Sequence, residues 1–542
     1  MLSSSLFTTP LRLAVPLCIA TLAIGPVATL PAFTQTSAQK TLAQKTLRIV
    51  PFADLQVLDP INTTAGNVQS HAMHVYDFLF GRDAQQIPRP QMVETYTVSD
   101  DSLTWTFTLR DGLKFHDGAD VTSEDVIQSL KRWGARDPYG RQIIGLTNTL
   151  TANNAKTFTW TLTKPFSLML EALSKSTSNV PAIMPKRIAE TDPLKSITET
   201  IGSGPFIFVK EEWVPGSKVV YRKNPDYIPR KEPSSGSAGA KIAKVDRIEW
   251  RIIADPQSAV FALINGEVDY LENPPTDLIP DLKAKGAAFT TTNALGFQGM
   301  MRMNHLHPPF NNVKARQALL YLVNQENYLR AMFGEPENWR VCRAYFNCGG
   351  PFATDAGAQP DFGKNKDKAK ALLAEAGYKG EPLVLLHPTD ISFLSAATQL
   401  LAQDLKSIGV NVEMQAMDFA TMAQRRANKA LPAQGGWHLG LTWWNGAGSM
   451  DPVGNVPMQA SCDKAWPGWP CDAAHQALID AFAATTTNDQ RMKAAVAVQE
   501  SAYTFVPYVP FGQWFQPVAH SPKLKGLPIV PGVMAFWNVE KE

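Results

Sequence analysis

Residues 103–133 read LTWTFTLRDGLKFHDGADVTSEDVIQSLKRW, and within them Asp111, Asp117, Asp120, Glu124 and Asp125 crowd one imidazole, His116. Such a set could run hydrolysis, with a carboxylate orienting the His as general base or two carboxylates dividing acid and base between them. The same residues have scaffold roles open to them. Trp105, Phe107 and Leu109 alternate with Thr104, Thr106 and Thr108, the period-2 pattern of a half-buried strand. Asp111-Gly112 marks a tight turn, Leu113 and Phe115 a short return strand, and Asp117-Gly118 its close. Thr122 with Asp125 three residues on forms a variant capping box ahead of a helix through Val126, Ile127, Leu130 and Trp133. Turn, cap and helix dipole therefore account for the carboxylates, and the stretch reads as scaffold.

Other chemistries can be tested the same way. His71 and His74 stand three apart on an expected helix, and His305 and His307 lie together in MNHLHPPF, yet no acid or Cys completes a known metal spacing. No G-x-S-x-G, H-E-x-x-H or G-x-x-x-x-G-K-[ST] occurs, so the hydrolase, zincin and phosphate-loop readings lack their motifs. The positive signal is aromatic: Trp437, Trp443, Trp444, Trp466, Trp469 and Trp514 are interleaved with Gly435, Gly436, Gly446 and Gly448. Rigid rings in Gly-rich loops suit a ligand-lining wall, against the alternative that each is core. On one strand Trp443 and Trp444 would face opposite ways, so at most one is expected to touch a given pocket.

The elements that must position these residues alternate. TLRIVPF opens with a strand, and a helix follows from about Val68 to Phe80. NAKTFTWTLTKPF is a second alternating strand, a polar helix follows Pro181 and Pro185, and residues 202–228 hold two strands. The polar, Gly/Ser/Pro-rich run 229–241 is expected to be a surface loop. VDRIEWRII is a strand, SAVFALINGEVDYLE a helix ending at Gly266 and then a strand, and residues 366–417 read helix, strand, helix, strand. This is an α/β chain with mixed sheets. At 542 residues it has room for two to four domains, and a net charge of +2 favours neither nucleic acid nor a membrane surface as partner.

Arg12 is the only charge in the first 39 residues and precedes the apolar run 13–30, with small residues at Ala32, Thr36 and Ala38. This is the layout of a cleaved signal peptide over residues 1–38 rather than of a membrane anchor, which Pro16, Gly25 and Pro26 would interrupt. Cleavage would remove Cys18 and leave four of the five cysteines, and this even count in an exported chain predicts two short-loop disulfides, Cys342 with Cys348 and Cys462 with Cys471. Zinc is the competing reading, although both spacings exceed the usual ligand spacing and no His pair stands beside either.

Taken together these blocks resemble the family 5 solute-binding proteins of ABC transporters, the dipeptide, oligopeptide and nickel-binding group. LRDGLKFHDG with TSEDVIQSLKR is similar to the family's most recognisable block; ADLQVLDP, HVYDFLFG, GSGPFIFVKEE, KNPDYI, DPQSAVFALINGEVDYLE, MRMNHLHPPFNNVKARQAL and VPYVPFGQWFQPVAHSPKLKGL follow in the family's order. The resemblance spans about residues 46–530. It implies a periplasmic binding protein type II-like, three-lobed clamshell with mixed sheets and a hinge. Lobe I would comprise residues 39–85, 200–297 and 513–542, lobe II 86–199 and lobe III 298–512.

What the resemblance implies for function is a periplasmic, monomeric, non-catalytic component of an ABC importer that needs no cofactor and binds no nucleic acid. It would trap a small peptide or peptide-like solute between lobes I and III and deliver it to permease subunits with their cytoplasmic ATPases. Phe52, Tyr345, Trp443, Trp444, Asn445 and Trp514 are the expected wall. Peptide-binding relatives place an Asp a few residues after a Trp to hold the peptide amine; here TWWNGAGSMDP offers Asn445, Gly446 and Ala447, with Asp451 assigned to the later turn. A buried cation lacking its counter-charge costs on the order of several kcal/mol, which turns the expectation toward a modified peptide or another organic solute. Arg343 and Arg302 are candidate partners for a ligand carboxylate. A binder of nickel or another metal chelate is the alternative if His71, His74, His305 and His307 converge. A secreted hydrolase on the same scaffold would instead need a Ser or carboxylate pair beside a base in the cleft.

Overall fold

The alternation at Thr104–Leu109 becomes a strand whose Trp105, Phe107 and Leu109 are buried while the threonines are half-buried. In the computed structural model, which describes residues 45–542 apart from 335, it is one of the two inner members of a four-stranded antiparallel sheet. The order is Val93–Val98, Thr104–Leu109, Thr157–Leu162, Thr147–Ala152. Phe107 stacks on Phe158 across the ladder, ring centroids 5.1 Å apart, the cross-strand pairing that stabilises such sheets. The helix Ser123–Gly134 packs on the sheet. The capping box forms as expected, Thr122 Oγ1 accepting from Asp125 N at 3.4 Å and Asp125 Oδ2 accepting from Thr122 N at 2.8 Å, a device worth roughly 1 kcal/mol.

A seven-stranded mixed sheet is ordered Ala288–Thr290, Val518–His520, Tyr270–Leu271, Thr46–Val50, Arg247–Arg251, Lys218–Lys223, Phe206–Phe208. Thr46–Val50 runs parallel to both of its neighbours, and the outer pairings are antiparallel. A six-stranded mixed sheet is ordered Trp339–Arg340, Val509–Trp514, Phe297–Met303, Leu439–Asn445, Leu383–Pro388, Val412–Met417. The helix-strand alternation read from the sequence is thus present as mixed α/β structure. Helix Pro256–Ile264 yields to Gly266 at φ +74° and helix Lys366–Glu375 to Gly377 at φ +89°, conformations that glycine adopts at little cost.

Four local expectations change. Leu113 and Phe115 form no return strand but a tight loop with an isolated bridge between Lys114 and Asp120. Both edges of Thr104–Leu109 are already taken by its sheet neighbours. The first helix is Gly66–Val75 and stops short of Phe80, because Asp77 is drawn into buried pairs with Lys241 and Arg110 and Phe80–Arg82 becomes a strand. The helix after Pro185 is a single turn, Lys186–Ala189. The 229–241 run does not stay on the surface: Ser237, Ala238 and Lys241 are buried, and Gly236 and Gly239 take φ +57° and +79° to let backbone approach backbone where a Cβ would collide.

Cys342–Cys348 and Cys462–Cys471 are bonded, with S–S distances of 2.00 and 1.96 Å. No helix among the described residues is long and apolar enough to cross a membrane. The expected signal peptide lies outside the described residues.

Candidate functional site

The carboxylates of the opening stretch can be placed first. Asp125 caps its helix and also accepts from Lys186 N; Asp120 pairs with Lys114, Glu124 with Lys186 and Asp117 with Arg187. His116 bonds the Gly204 carbonyl at 3.1 Å, and burial pushes its pKa down to about 4. Each group has a structural partner, so the stretch works as scaffold.

The histidines do not converge either. His71 bonds the Tyr221 hydroxyl at 2.9 Å and His74 the Ser70 carbonyl, and burial pushes them down to about 3 and about 4. His305 is held well below its ordinary range by burial and packs on Phe505, while His307 reaches the Lys429 carbonyl. No group of three or more His, Cys, Asp or Glu among the described residues could hold a metal.

A cavity opens between elements of the seven-stranded and six-stranded sheets. Phe52 and Glu272 stand just beyond the ends of the parallel strands Thr46–Val50 and Tyr270–Leu271. Opposite them are Thr442 to Asn445, at the end of Leu439–Asn445, and Trp514, at the end of Val509–Trp514. Phe419 and Arg426, at the two ends of helix Phe419–Arg425, and Trp466, from the loop closed by Cys462–Cys471, complete that wall.

Five of the six expected wall residues therefore come together. Trp443 is the hub of the aromatic floor, with ring centroids 4.9 Å from Phe419, 5.5 Å from Phe393 and 5.8 Å from Phe52. Trp444 also reaches the cavity, against the expectation from strand alternation, because the wall passes around the strand's end where Asn445 enters the short turn Gly446–Ser449. Trp514 contributes little surface; it is buried among Phe297, Phe333 and Phe393, and its indole N–H has no partner in the protein. Asn445 Oδ1 accepts from Ala447 N at 2.9 Å, and its unpartnered amide nitrogen lies against Gly532.

Tyr345 does not join them. It is fully buried between Tyr503 and Tyr508 and donates to the Tyr508 carbonyl at 2.9 Å, so its hydroxyl is satisfied in the core. Arg302 is not a ligand group either: it donates to the carbonyls of Pro467, Pro457, Pro507 and Trp466. Arg343 lines a separate pocket. Asp451 accepts from Tyr139 Oη and from the backbone of Val453 and Gly454, a turn role as expected.

Glu272 and Arg426 went unnoticed in the sequence. Among the described residues they are the one acid and the one base lining the cavity, and neither has an oppositely charged partner. Glu272 Oε2 accepts from Phe52 N at 2.8 Å, and burial pushes its pKa up to about 7. Arg426 donates to Thr442 Oγ1 at 3.3 Å and lies over the Trp466 ring at 4.6 Å; burial pulls its pKa down to about 10, and its Nε has no partner. Their sequence contexts, DYLEN and AQRRANK, look like ordinary strand-end and helix-end charges. Only the fold turns them inward. The cavity can thus offer one anion, one cation and aromatic faces to a small organic solute.

Comparison with known proteins gives a consistent result. The family description "Bacterial extracellular solute-binding proteins, family 5 Middle" matches residues 88–466. A probable peptide ABC transporter periplasmic-binding protein of Sinorhizobium fredii is 38% identical over 495 residues, covering 90% of this chain and 92% of the relative. A glutathione-binding protein of Salmonella typhimurium is 28% identical, covering 88% and 91%. Among solved structures, an ABC transporter-associated periplasmic binding protein of Helicobacter pylori in complex with the peptide STSA superposes with a TM-score of 0.76 at 21% identity, covering 92% of this chain and 99% of that one. The mixed α/β architecture is therefore that of the type II-like periplasmic binding proteins.

Proposed function

This chain belongs to the bacterial extracellular solute-binding proteins of family 5, and from that premise we propose that it captures a peptide or peptide-like solute for an ABC importer. In this reading the chain is exported to the periplasm, acts there as a monomer without catalysis, and hands its cargo to a membrane permease. The observation that carries the reading is the cavity itself. Its walls come from two different sheets, with Phe52 and Glu272 on one side and Trp443, Asn445 and Arg426 on the other. A solute touching both walls favours the closed arrangement over an open one, which is the differential contact that hinge closure needs.

The three-lobe division belongs to the same proposal. The strands of the seven-, four- and six-stranded sheets support it, with the boundaries at 297 and 513 shifted so that Phe297–Met303 and Val509–Trp514 are not cut. A peptide cargo is supported by the names of the relatives, one a probable peptide-binding protein and another a glutathione-binding protein.

Isothermal titration of the purified chain with di- and tripeptides, free amino acids and nickel chelates tests this reading. Saturable one-to-one binding of peptides is expected. Binding confined to chelates, or recovery of cleaved peptide, would overturn it.

A further inference from the structure

Among the described residues, the buried charges outside the cavity are either paired or hydrogen-bonded several times over; Asp451, which has no cation, accepts from Tyr139 Oη and from the backbone of Val453 and Gly454. Arg132 meets Asp59 at 2.7 Å with both side chains fully buried. Lys241 meets Asp77 at 3.1 Å, and Lys175 meets Asp137. Where a buried guanidinium has no carboxylate, backbone carbonyls take its place: four around Arg302, and those of Phe505 and Phe310 around Arg316. Glu272 and Arg426 break this pattern, and they break it in the same cavity with opposite signs. Glu272 has one backbone donor, Phe52 N. Arg426 has one neutral hydroxyl, and its Nε is buried with nothing to bond. Leaving charge desolvated and unmatched is expensive, and a site that must bind pays that cost ahead of its ligand.

We propose that Glu272 and Arg426 are the two charged anchors of the ligand, so that the cleft selects solutes carrying a cationic group and a carboxylate at once. This rests on the binding function proposed above and deepens it. Glu272 offers its remaining acceptor capacity to an ammonium group, and Arg426 its free donors to a carboxylate. The anchors sit on opposite walls, Glu272 after Tyr270–Leu271 of the seven-stranded sheet and Arg426 after a helix packed on the six-stranded sheet. A solute with both charges therefore bridges the two walls, whereas a solute with one charge engages a single wall and gives closure less to draw on. The acid found near the Trp in peptide-binding relatives is replaced by Asn445 here, and the proposal moves its work across the cleft to Glu272.

The test is calorimetric binding of four probes to wild type, Glu272→Gln and Arg426→Gln: a tripeptide with free termini, its N-acetyl form, its C-terminal amide, and 6-aminohexanoate as a non-peptide zwitterion. Wild type should bind the free tripeptide at least about tenfold more tightly than either blocked form. Glu272→Gln should erase the penalty for acetylation and leave the penalty for amidation, and Arg426→Gln the reverse. A merely structural role would not produce this crossed pattern. Blocked and free peptides binding within about twofold of each other would overturn the proposal and leave the peptide reading standing. Binding of 6-aminohexanoate alone, weakened by both substitutions, would support the anchors and overturn the peptide reading. Melting of the ligand-free proteins adds a second check. Glu272→Gln should melt no lower than wild type, and a clear drop would make Glu272 a structural group and overturn its assignment.

Discussion

Asp59 is a fully buried carboxylate and Glu272 a half-buried one on the cavity wall, and their surroundings differ in the partners they offer. Asp59 receives two bonds from Arg132, at 3.1 and 2.7 Å, and further bonds from the backbone of Ile61 and Ile197. Arg132 spends its remaining donors on the carbonyls of Thr191 and Lys195. Glu272 has the Phe52 amide and no cation, and Arg426 across the cleft has a threonine hydroxyl and no anion. A matched buried charge fixes one arrangement of the chain, whereas an unmatched one keeps free energy available for a partner that arrives later.

The largest expected effect breaks the matched side. Asp59→Ala strands Arg132 without its counter-charge and should cost about 3–5 kcal/mol of unfolding free energy, read from denaturant melts. Removing the hub of the aromatic floor comes next. Trp443→Ala should weaken ligand affinity by ~2 kcal/mol in calorimetry. A smaller loss is expected at Gly532, which has φ +81° and no room for a Cβ beside the Asn445 amide. Gly532→Ala should cost ~1 kcal/mol or more of stability and should impair binding further, because the Asn445 wall can no longer seat.

The smallest effect sharpens the comparison through pH. A carboxyl with a raised folded-state pKa takes up a proton on folding, so the stability linked to Glu272 is present at low pH and is lost as pH rises from its unfolded range toward about 7. The other titratable group beside it, Tyr270, stays protonated throughout because burial raises its pKa well above the ordinary value. Affinity for an amine-bearing ligand should run the opposite way, strengthening as pH rises through 7 and Glu272 ionises. Glu272→Gln should remove this contribution from both profiles, read as the difference from wild type by melting and by calorimetry across pH 5 to 8.

Much of the frame was legible in the residues. Period-2 threonines, the Thr122–Asp125 box and the glycines after helices specify structure locally, and the paired cysteines lie close in sequence. The aromatic wall was legible in part: Phe52, Trp443 and Asn445 sit at strand ends, where the sheets open the cavity. Tyr345 misled because a ring in a short disulfide loop can turn inward as readily as outward, and its hydroxyl found a carbonyl in the core. The run 229–241 misled because Gly and Ser also permit backbone to press against backbone. Glu272 and Arg426 had no local signature at all, since what distinguishes them is the absence of partners that only the assembled fold brings near or keeps away.

The most direct test of capture between two walls is thermal melting of wild type and Trp443→Ala with and without a saturating free-termini tripeptide. At about 100 times its dissociation constant a ligand adds roughly 2.7 kcal/mol to the folded state. A clear upward shift is expected for wild type, and a much smaller one for Trp443→Ala at the same concentration. Equal shifts in the two proteins would place the ligand elsewhere and contradict the account.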